Sequence, residues 1–282
     1  MCDVPERGCV VEHRPRTLRY RFATKVVFDE PACEHALVLR CQPREGEGLT
    51  ILKGAVCIEP EVPLQAQRDS FGNALAVCRI AEAHDYVLYV SEGIVRIDLG
   101  ETGPCVAHPL YRYPSALATA SDEMCDWLRA QGLVSSLWED DPDLAYEHVA
   151  DLCHAVSKEM TYAPGSTNIT TTASEAFALH CGVCQDYAHI VVALLRYLGI
   201  ASRYVLGLAV GEGCTHAWVQ AHLGGRWRGF DPTRDTCVNE TYIPLAVGRD
   251  WSDCPVERGS FMGAPGQCQD VHMEVLELGG CS

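Results

Sequence analysis

The sequence predicts an α+β protein in which an N-terminal β-sandwich over residues 1–115 precedes a second domain over residues 116–282. The first 115 residues consist of short β-rich runs separated by turn signals. After a Pro-containing linker at 104–114, the hydrophobic period becomes helical and then returns to strands. A chain of 282 residues is long enough for two domains with buried cores.

In the N-terminal part, residues 18–23 alternate between apolar and polar side chains, and residues 37–39 are apolar. Residues 74–80 and 86–99 are β-rich, so these four segments are predicted strands. Turn residues cluster between them, at 29–31, 43–46, 69–73 and 91–93. Short strands at this spacing are typical of a β-sandwich.

The second part begins with predicted helices. Ser121 is placed to begin a short helix, Asp143 to cap a longer one that runs to Met160, and Thr171 or Thr172 to cap a third. The fourth follows Cys184 and has a stripe of apolar residues at offsets of three and four. Gly199 is expected to end it.

Strands follow the fourth helix, at 202–210, 216–223 and 226–231. The last two flank Gly224-Gly225, which is a strong hairpin signal. Residues 243–247 and 271–278 are expected to add two more strands. A core helix packed on this antiparallel sheet is an α+β arrangement.

Composition restricts the partners. The formal net charge of −16 argues against nucleic acid or an anionic membrane. No apolar run approaches the roughly 20 residues that span a bilayer, and no secretory signal is visible, so a cytoplasmic protein is expected. The sixteen cysteines are scattered, many in apolar runs, which predicts reduced thiols. No cofactor is expected, and the oligomeric state stays open.

Cys184 is the strongest candidate for chemistry because it stands at the predicted start of the fourth helix. A thiol attacks acyl groups as the thiolate, and the unpaired N–H groups and positive potential of a helix N-terminus favour that form. The same N–H groups could hold an oxyanion. Gly182 is expected to let the chain turn sharply and to leave room for a substrate.

The hairpin places two further side chains near each other. A two-residue loop sets Trp218 across from Asp231, and cross-strand partners share one face of a sheet. His216 is then a diagonal neighbour of Asp231, within side-chain reach. We expect Cys184 to be the nucleophile, His216 the general base and then the acid, and Asp231 the group that orients the imidazole.

Trp218 and Gly182 are expected to contact the substrate, although a core role for Trp218 is equally open. The arrangement suits cleavage of peptide or other amide bonds, or acyl transfer, through a thioester. A peptide or protein is therefore the expected substrate.

Three blocks of sequence, residues 182–189, 215–219 and 229–233, resemble the transglutaminase-like superfamily. Residues 69–73 and 246–253 are similar to segments of its bacterial members, including their N-terminal β region. The resemblance implies a papain-like core with a Cys-His-Asp triad, here Cys184, His216 and Asp231. The superfamily includes transglutaminases, cysteine proteases, amidases and inactive relatives. The calcium dependence of the large animal enzymes is not expected, because an acidic loop with EF-hand spacing is missing.

The sequence leaves alternative roles open for several of these residues. Cys181 and Cys184 form a C-x-x-C, which could be a redox pair or half of a zinc site, but a second ligand pair is missing. His189 lies about 140° round the helix from Cys184 and is expected to pack structurally. Asp186 is expected to complement the helix dipole. The leading function is a thiol hydrolase of amide bonds. A protein-glutamine acyltransferase and a non-catalytic binding module are the alternatives.

Overall fold

The computed structural model describes residues 13–134, 141–211, 213–263 and 266–279. It has the predicted α+β class, with an N-terminal antiparallel β domain followed by helices packed on an antiparallel sheet. The N-terminal domain is a half-barrel. Its first five strands are β1 (Arg16–Leu39), β2 (Leu49–Glu59), β3 (Gln65–Arg68), β4 (Ala74–Ile80) and β5 (His84–Ile97).

Strand β1 is the centre of the half-barrel, in the order β2-β5-β1-β4-β3. Its first half pairs with β5 and its second half with β4, with an irregularity between Val27 and Ala32. The turn predicted at 29–31 is therefore wrong, because Pro31, which has no N–H to donate, lies in a bulge of a continuous strand. The turn predicted at 91–93 is also wrong. Gly93 lies inside β5, where a Cβ would collide with the carbonyl oxygen of Lys53 on β2.

The described part of the second domain contains four α-helices, α1 (Asp122–Ala130), α2 (Pro142–Glu159), α3 (Ala173–Leu179) and α4 (Cys184–Tyr197). A short parallel pair, β6 (Thr161–Tyr162) and β7 (Cys181–Gly182), precedes α4. The sheet has the order β11-β10-β9-β8-β12. Its strands are β8 (Ser202–Ala209), β9 (His216–Leu223), β10 (Arg226–Asp231), β11 (Thr236–Cys237) and β12 (Tyr242–Gly248).

The helix boundaries largely follow the capping signals. Ser121 caps α1, and Thr172 forms a capping box with Glu175 at the start of α3. The cap predicted for α2 is wrong, since Asp141 rather than Asp143 accepts the free N–H groups. Pro142 occupies the first helical position, where a missing N–H costs nothing, and this moves the helix start two residues earlier.

The chain ends by returning to the half-barrel. Strands β13 (Glu257–Met262) and β14 (Gln267–Glu277) both pair with β1, and β14 follows it from Leu18↔Glu277 to Phe28↔Gln267. The strand predicted at 271–278 therefore exists but does not belong to the sheet that carries His216. The division into 1–115 and 116–282 stays a prediction, with residues 257–277 joined to the first sheet by hydrogen bonds.

A side-chain clip joins the two parts. The Asn73 amide donates to the carbonyl oxygen of Val247 and accepts from its N–H, both at 2.8 Å, as a neighbouring strand would. The Asp69 carboxylate holds the clip by accepting from the Asn73 amide at 3.0 Å. Leu208 and Ile243, from β8 and β12, are buried with the half-barrel core. The half-barrel thus supports the sheet on which the candidate site is built.

None of the described helices combines the length and apolar character needed to cross a bilayer. The thirteen cysteines within the described residues are all free in this structure, and the reduced state expected from the sequence stays a prediction.

Candidate active site

Cys184 is the first residue of α4. Val183 precedes it in an extended conformation, and the Asp186 carboxylate accepts a hydrogen bond from the Val183 N–H at 2.8 Å. Cys184 is half-buried and packs against the core that α4 shares with the other helices. The thiol therefore stands where the first-turn N–H groups have no partner inside the helix and the helix dipole is positive.

The hairpin register is as predicted. Gly224 and Gly225 have φ values of 55° and 76°, as a two-residue turn of this kind requires, and Leu223 pairs with Arg226. His216 Nε2 lies 2.7 Å from Asp231 Oδ2, and both side chains are buried. The two-residue turn thus sets the strand register that brings the Asp231 carboxylate into contact with the His216 imidazole.

The Asp231 carboxylate is fully hydrogen-bonded. Besides His216, Oδ2 accepts from the Tyr242 hydroxyl at 2.8 Å, and Oδ1 accepts from the backbone N–H groups of Thr233 and Arg234 at 3.0 and 3.1 Å. These four donors fix the position of the fully buried carboxylate. Sequence reasoning missed Tyr242, because it begins β12 at the opposite edge of the sheet and no local spacing links it to Asp231.

His216 joins the thiol to the carboxylate. Its ring is hydrogen-bonded to Asp231, and Cys184 lies close enough to affect its protonation. Burial disfavours the protonated ring, but the interactions with Asp231 and Cys184 outweigh it and raise the pKa of His216 to about 9. Because Nε2 faces Asp231, Nδ1 is the nitrogen available to the Cys184 thiol. The structure therefore brings together all three residues predicted for the triad.

Two family models match this chain. The Transglutaminase-like superfamily matches residues 131–232, which contain all three of these side chains, and the Bacterial transglutaminase-like N-terminal region matches residues 18–96. The chain belongs to the transglutaminase-like superfamily.

Individual relatives extend along nearly the whole chain. The uncharacterized protein ML0607 of Mycobacterium leprae is 27% identical over 93% of this chain and 99% of its own length. Rv2569c of Mycobacterium tuberculosis is 29% identical over 76% of this chain and 77% of its own. A crystal structure named "Putative Cysteine Protease" from Cytophaga hutchinsonii superposes with a TM-score of 0.75 at 20% identity, covering 95% of this chain and 93% of that one. The transglutaminase-like fold is thus shared over both domains.

In this transglutaminase-like site, Gly182 has a different role from the one predicted. It is not among the glycines with positive φ, so it makes no sharp turn of the kind that only glycine allows. A Cβ at this position would lie 2.6 Å from Oδ2 of Asp186. Gly182 therefore makes room for the buried Asp186 side chain, and contact with a substrate stays a prediction.

Trp218 is a core residue in this structure. Its side chain is 1% exposed and packs edge-on against Tyr242 at a ring distance of 5.3 Å. The ring of His216 lies nearly parallel to it at 6.3 Å. Gly207 leaves space for it, since a Cβ there would overlap the indole. Of the two roles left open by the sequence, the structure shows the core one, in which the buried Trp218 ring packs against the His216 imidazole.

The helix start is held by a buried carboxylate. Asp186 accepts from the Thr167 hydroxyl at 2.6 Å as well as from Val183, and burial raises the pKa of Asp186 despite these donors. The residue predicted to complement the helix dipole thus also ties the 163–172 loop to the first turn of α4. The signal in the sequence was the Asp three residues after the helix cap.

His189 packs in the core, as predicted. It is fully buried, its Nε2 accepts from the Trp251 N–H at 3.0 Å, and burial lowers the pKa of His189 to about 4. Cys181 lies in β7 and forms no disulfide with Cys184. Within the described ranges, no group of three or more His, Cys, Asp or Glu side chains is placed to hold a metal ion.

Proposed function

We propose that the protein is a thiol hydrolase that cleaves peptide or other amide bonds through a thioester acyl-enzyme. The observation that carries this proposal is the position of Cys184 at the N-terminus of α4, next to His216, which is itself hydrogen-bonded to Asp231. The similarity to the structure from Cytophaga hutchinsonii named "Putative Cysteine Protease" supports the fold on which such chemistry occurs.

The geometry supports a specific division of roles. Cys184 Sγ attacks the carbonyl carbon of the scissile amide, and its proton resides on His216 Nδ1. The backbone N–H groups in the first turn of α4 are the donors placed to stabilise the oxyanion. Protonated His216 gives its proton to the leaving amine, the acyl group stays on sulfur, and water activated by His216 releases it as an acid.

Asp231 and Tyr242 act on the ring rather than on the substrate. The carboxylate fixes the Nε2–H side of the imidazole and supports its charged form. The Tyr242 hydroxyl fixes the carboxylate in turn. Because the pKa of His216 is raised to about 9, the ring stays protonated beside sulfur at neutral pH, and a protonated imidazole is the partner that stabilises a thiolate.

Alkylation of the native protein provides the first test, because the chain contains its own controls. Cys268 is exposed on β14, whereas Cys184 is half-buried. If solvent exposure alone determined the alkylation rate, Cys268 would react faster than Cys184. We expect iodoacetamide at pH 6 to label Cys184 faster than Cys268, as measured by peptide mass spectrometry. Slower labelling of Cys184 would contradict an activated nucleophile and favour the binding module.

Turnover provides the second test. Peptide-amide libraries should yield acids with the wild-type protein and with Cys181→Ala, but not with Cys184→Ala. Cleavage that survives Cys184→Ala would end the proposal. Adding a labelled primary amine separates two outcomes of the same acyl-enzyme, since its incorporation into glutamine peptides would show acyl transfer and release of acid alone would show hydrolysis.

A further inference from the structure

A large cavity lies between the half-barrel and the sheet of the second domain, with a volume of about 610 Å³. This is within the usual size range of small-ligand sites. Its walls include Thr215, the residue directly before His216, and Ile169 of the loop that Thr167 ties to α4. Consecutive Cα atoms are about 3.8 Å apart, so the cavity reaches the edge of the proposed catalytic centre.

The inner wall of this cavity carries unsatisfied oxygen atoms. Thr24 and Tyr89 are directly opposite each other on β1 and β5, and both are completely buried. Neither hydroxyl has a hydrogen-bond partner among the described residues, and Oε2 of Glu257 on β13 also has none. Tyr89 interacts with both neighbours, but at contacts that fall short of ordinary hydrogen bonds. Buried polar groups without protein partners are rare and costly, so water or a ligand must satisfy them.

The charge of the lining selects the ligand. It includes Glu257 but neither lysine nor arginine, and burial without a compensating cation raises the pKa of the Glu257 carboxyl group. His35 also lines the cavity, and burial together with the neighbouring His84 lowers the pKa of His35 to about 4, which keeps the ring neutral. An anionic group would meet a carboxylate with no compensating cation, whereas a cation would be paired.

The shape of the lining selects the rest of the ligand. Besides its polar groups, the lining includes apolar side chains, among them Phe22, Val26, Leu206 and Phe261. An aliphatic stem of several carbons would be buried there, at a gain of about 0.8 kcal/mol per CH₂.

We propose that this cavity binds a primary ammonium group on an aliphatic stem, with its N–H groups donating to Thr24 Oγ1, Tyr89 Oη and Glu257 Oε2. Three donors of an ammonium match three acceptors. The inference rests on the proposed function in one respect, because it makes the cavity the substrate-recognition site of that thiol. The ammonium is a recognition group and does not react. A lysine side chain of a peptide and a free alkyl amine share this chemistry.

Calorimetric titration of the wild-type protein tests the proposal. The probes are Nα-acetyl-lysine N-methylamide, its norleucine analogue, which lacks only the ammonium, and pentylammonium. We expect the lysine probe to bind about 10- to 100-fold more tightly than the norleucine probe. Equal affinity for the two would overturn the proposal. Tighter binding of the lysine probe than of pentylammonium identifies a peptide side chain as the source, and equal binding of those two identifies the free amine.

Matched variants locate the site. Glu257→Gln should remove most of the preference for the lysine probe, whereas Glu274→Gln, the same change at an exposed position of β14 outside the cavity, should keep it. An unchanged preference in Glu257→Gln would overturn the proposal. Tyr89→Phe and Thr24→Val provide the same test by removing single hydroxyls, each with an expected loss of about fivefold.

The binding test is separable from the test of catalysis. Cys184→Ala should bind the lysine probe as the wild type does, because the thiol does not contact the ammonium. Binding in a protein whose Cys184 is unreactive would refute the proposed hydrolase and leave the cavity assignment standing. A reactive Cys184 in a protein that does not discriminate lysine from norleucine would do the reverse.

Discussion

The surroundings of Asp231 and the cavity between the half-barrel and the second sheet both contain buried polar side chains, but they differ in how these are hydrogen-bonded. Both oxygens of Asp231 are occupied, and one of their donors is the Tyr242 hydroxyl. In the cavity, the hydroxyls of Thr24 and Tyr89 have no partner among the described residues.

This difference separates two kinds of functional region. Folding alone satisfies the polar groups around Asp231, so the imidazole is already oriented before a substrate binds. In the cavity, hydrogen-bonding capacity is left over after folding and is available to a ligand. Four measurements would sharpen or break this comparison, and they follow in order of decreasing expected effect.

The largest effect is expected where the network is complete. Asp231→Asn keeps the shape of the side chain but removes the charge that supports protonated His216, so kcat/KM for amide cleavage should fall about 10³-fold. Asp235→Asn is the matched control, since Asp235 is an exposed residue on the same loop that contacts His154 instead. Steady-state kinetics of the two variants would decide. A loss of less than tenfold in Asp231→Asn would remove Asp231 from the mechanism.

The second effect is a pH dependence of stability. The pKa of His216 is about 9 in the folded protein and 6.5 in the reference state, so the bound proton stabilises the fold below pH 6.5. This stabilisation, about 3 kcal/mol, is lost as the pH rises through about 9. Chemical denaturation of the wild type and His216→Gln should therefore show a stability difference that shrinks from pH 6 to pH 10. A difference that stays constant over this range would contradict the raised pKa.

The third measurement compares two tyrosines directly. Tyr242→Phe removes a donor to the buried Asp231 carboxylate and should lower the free energy of unfolding by about 1.5–3 kcal/mol. Tyr89→Phe removes an unpartnered hydroxyl and should leave the free energy of unfolding within about 1 kcal/mol of wild type, or higher. Urea denaturation of both variants would measure this. Equal destabilisation would mean that the cavity is satisfied by folding after all.

The smallest effect is expected at the other thiol of the C-x-x-C. Cys181 lies in β7, where its backbone pairs with Thr161, and it contributes no hydrogen bond to the triad. Cys181→Ser should change the alkylation rate of Cys184 by less than about twofold. If the variant instead lost a dithiothreitol-reversible inactivation by peroxide that the wild type shows, the redox-pair alternative would gain support.

The parts of the structure that sequence reasoning predicted are those fixed by local chemistry. The Gly224-Gly225 turn sets the register of β9 and β10, and from that register follows the contact between His216 and Asp231. The start of α4 at Cys184 likewise follows from the apolar stripe and from the aspartate in its first turn. Each of these signals lies within about fifteen residues of the feature that it predicts.

The parts that were missed depend on which strands lie beside one another in the fold. Tyr242 is only 11 residues from Asp231 in the chain but meets it across the sheet. Thr24, Tyr89 and Glu257 come from three different strands. Pro31 and Gly93 are typical turn residues in the sequence, whereas their place inside long strands depends on which strands lie beside them. Strand β13 was missed, since its mostly exposed residues show no period of two.

The return of the chain to β1 has a consequence for synthesis on the ribosome. One edge of β1, from Leu18 to Phe28, finds its partner only in residues 267–277, which are translated some 240 residues later. An edge strand left open for so long is a site for mispairing with another nascent chain. The half-barrel can close only after residues 267–277 have been synthesised, which is later than the synthesis of Cys184 and His216. Until then the growing chain lacks Gln267, Gln269 and Val271, which line the cavity.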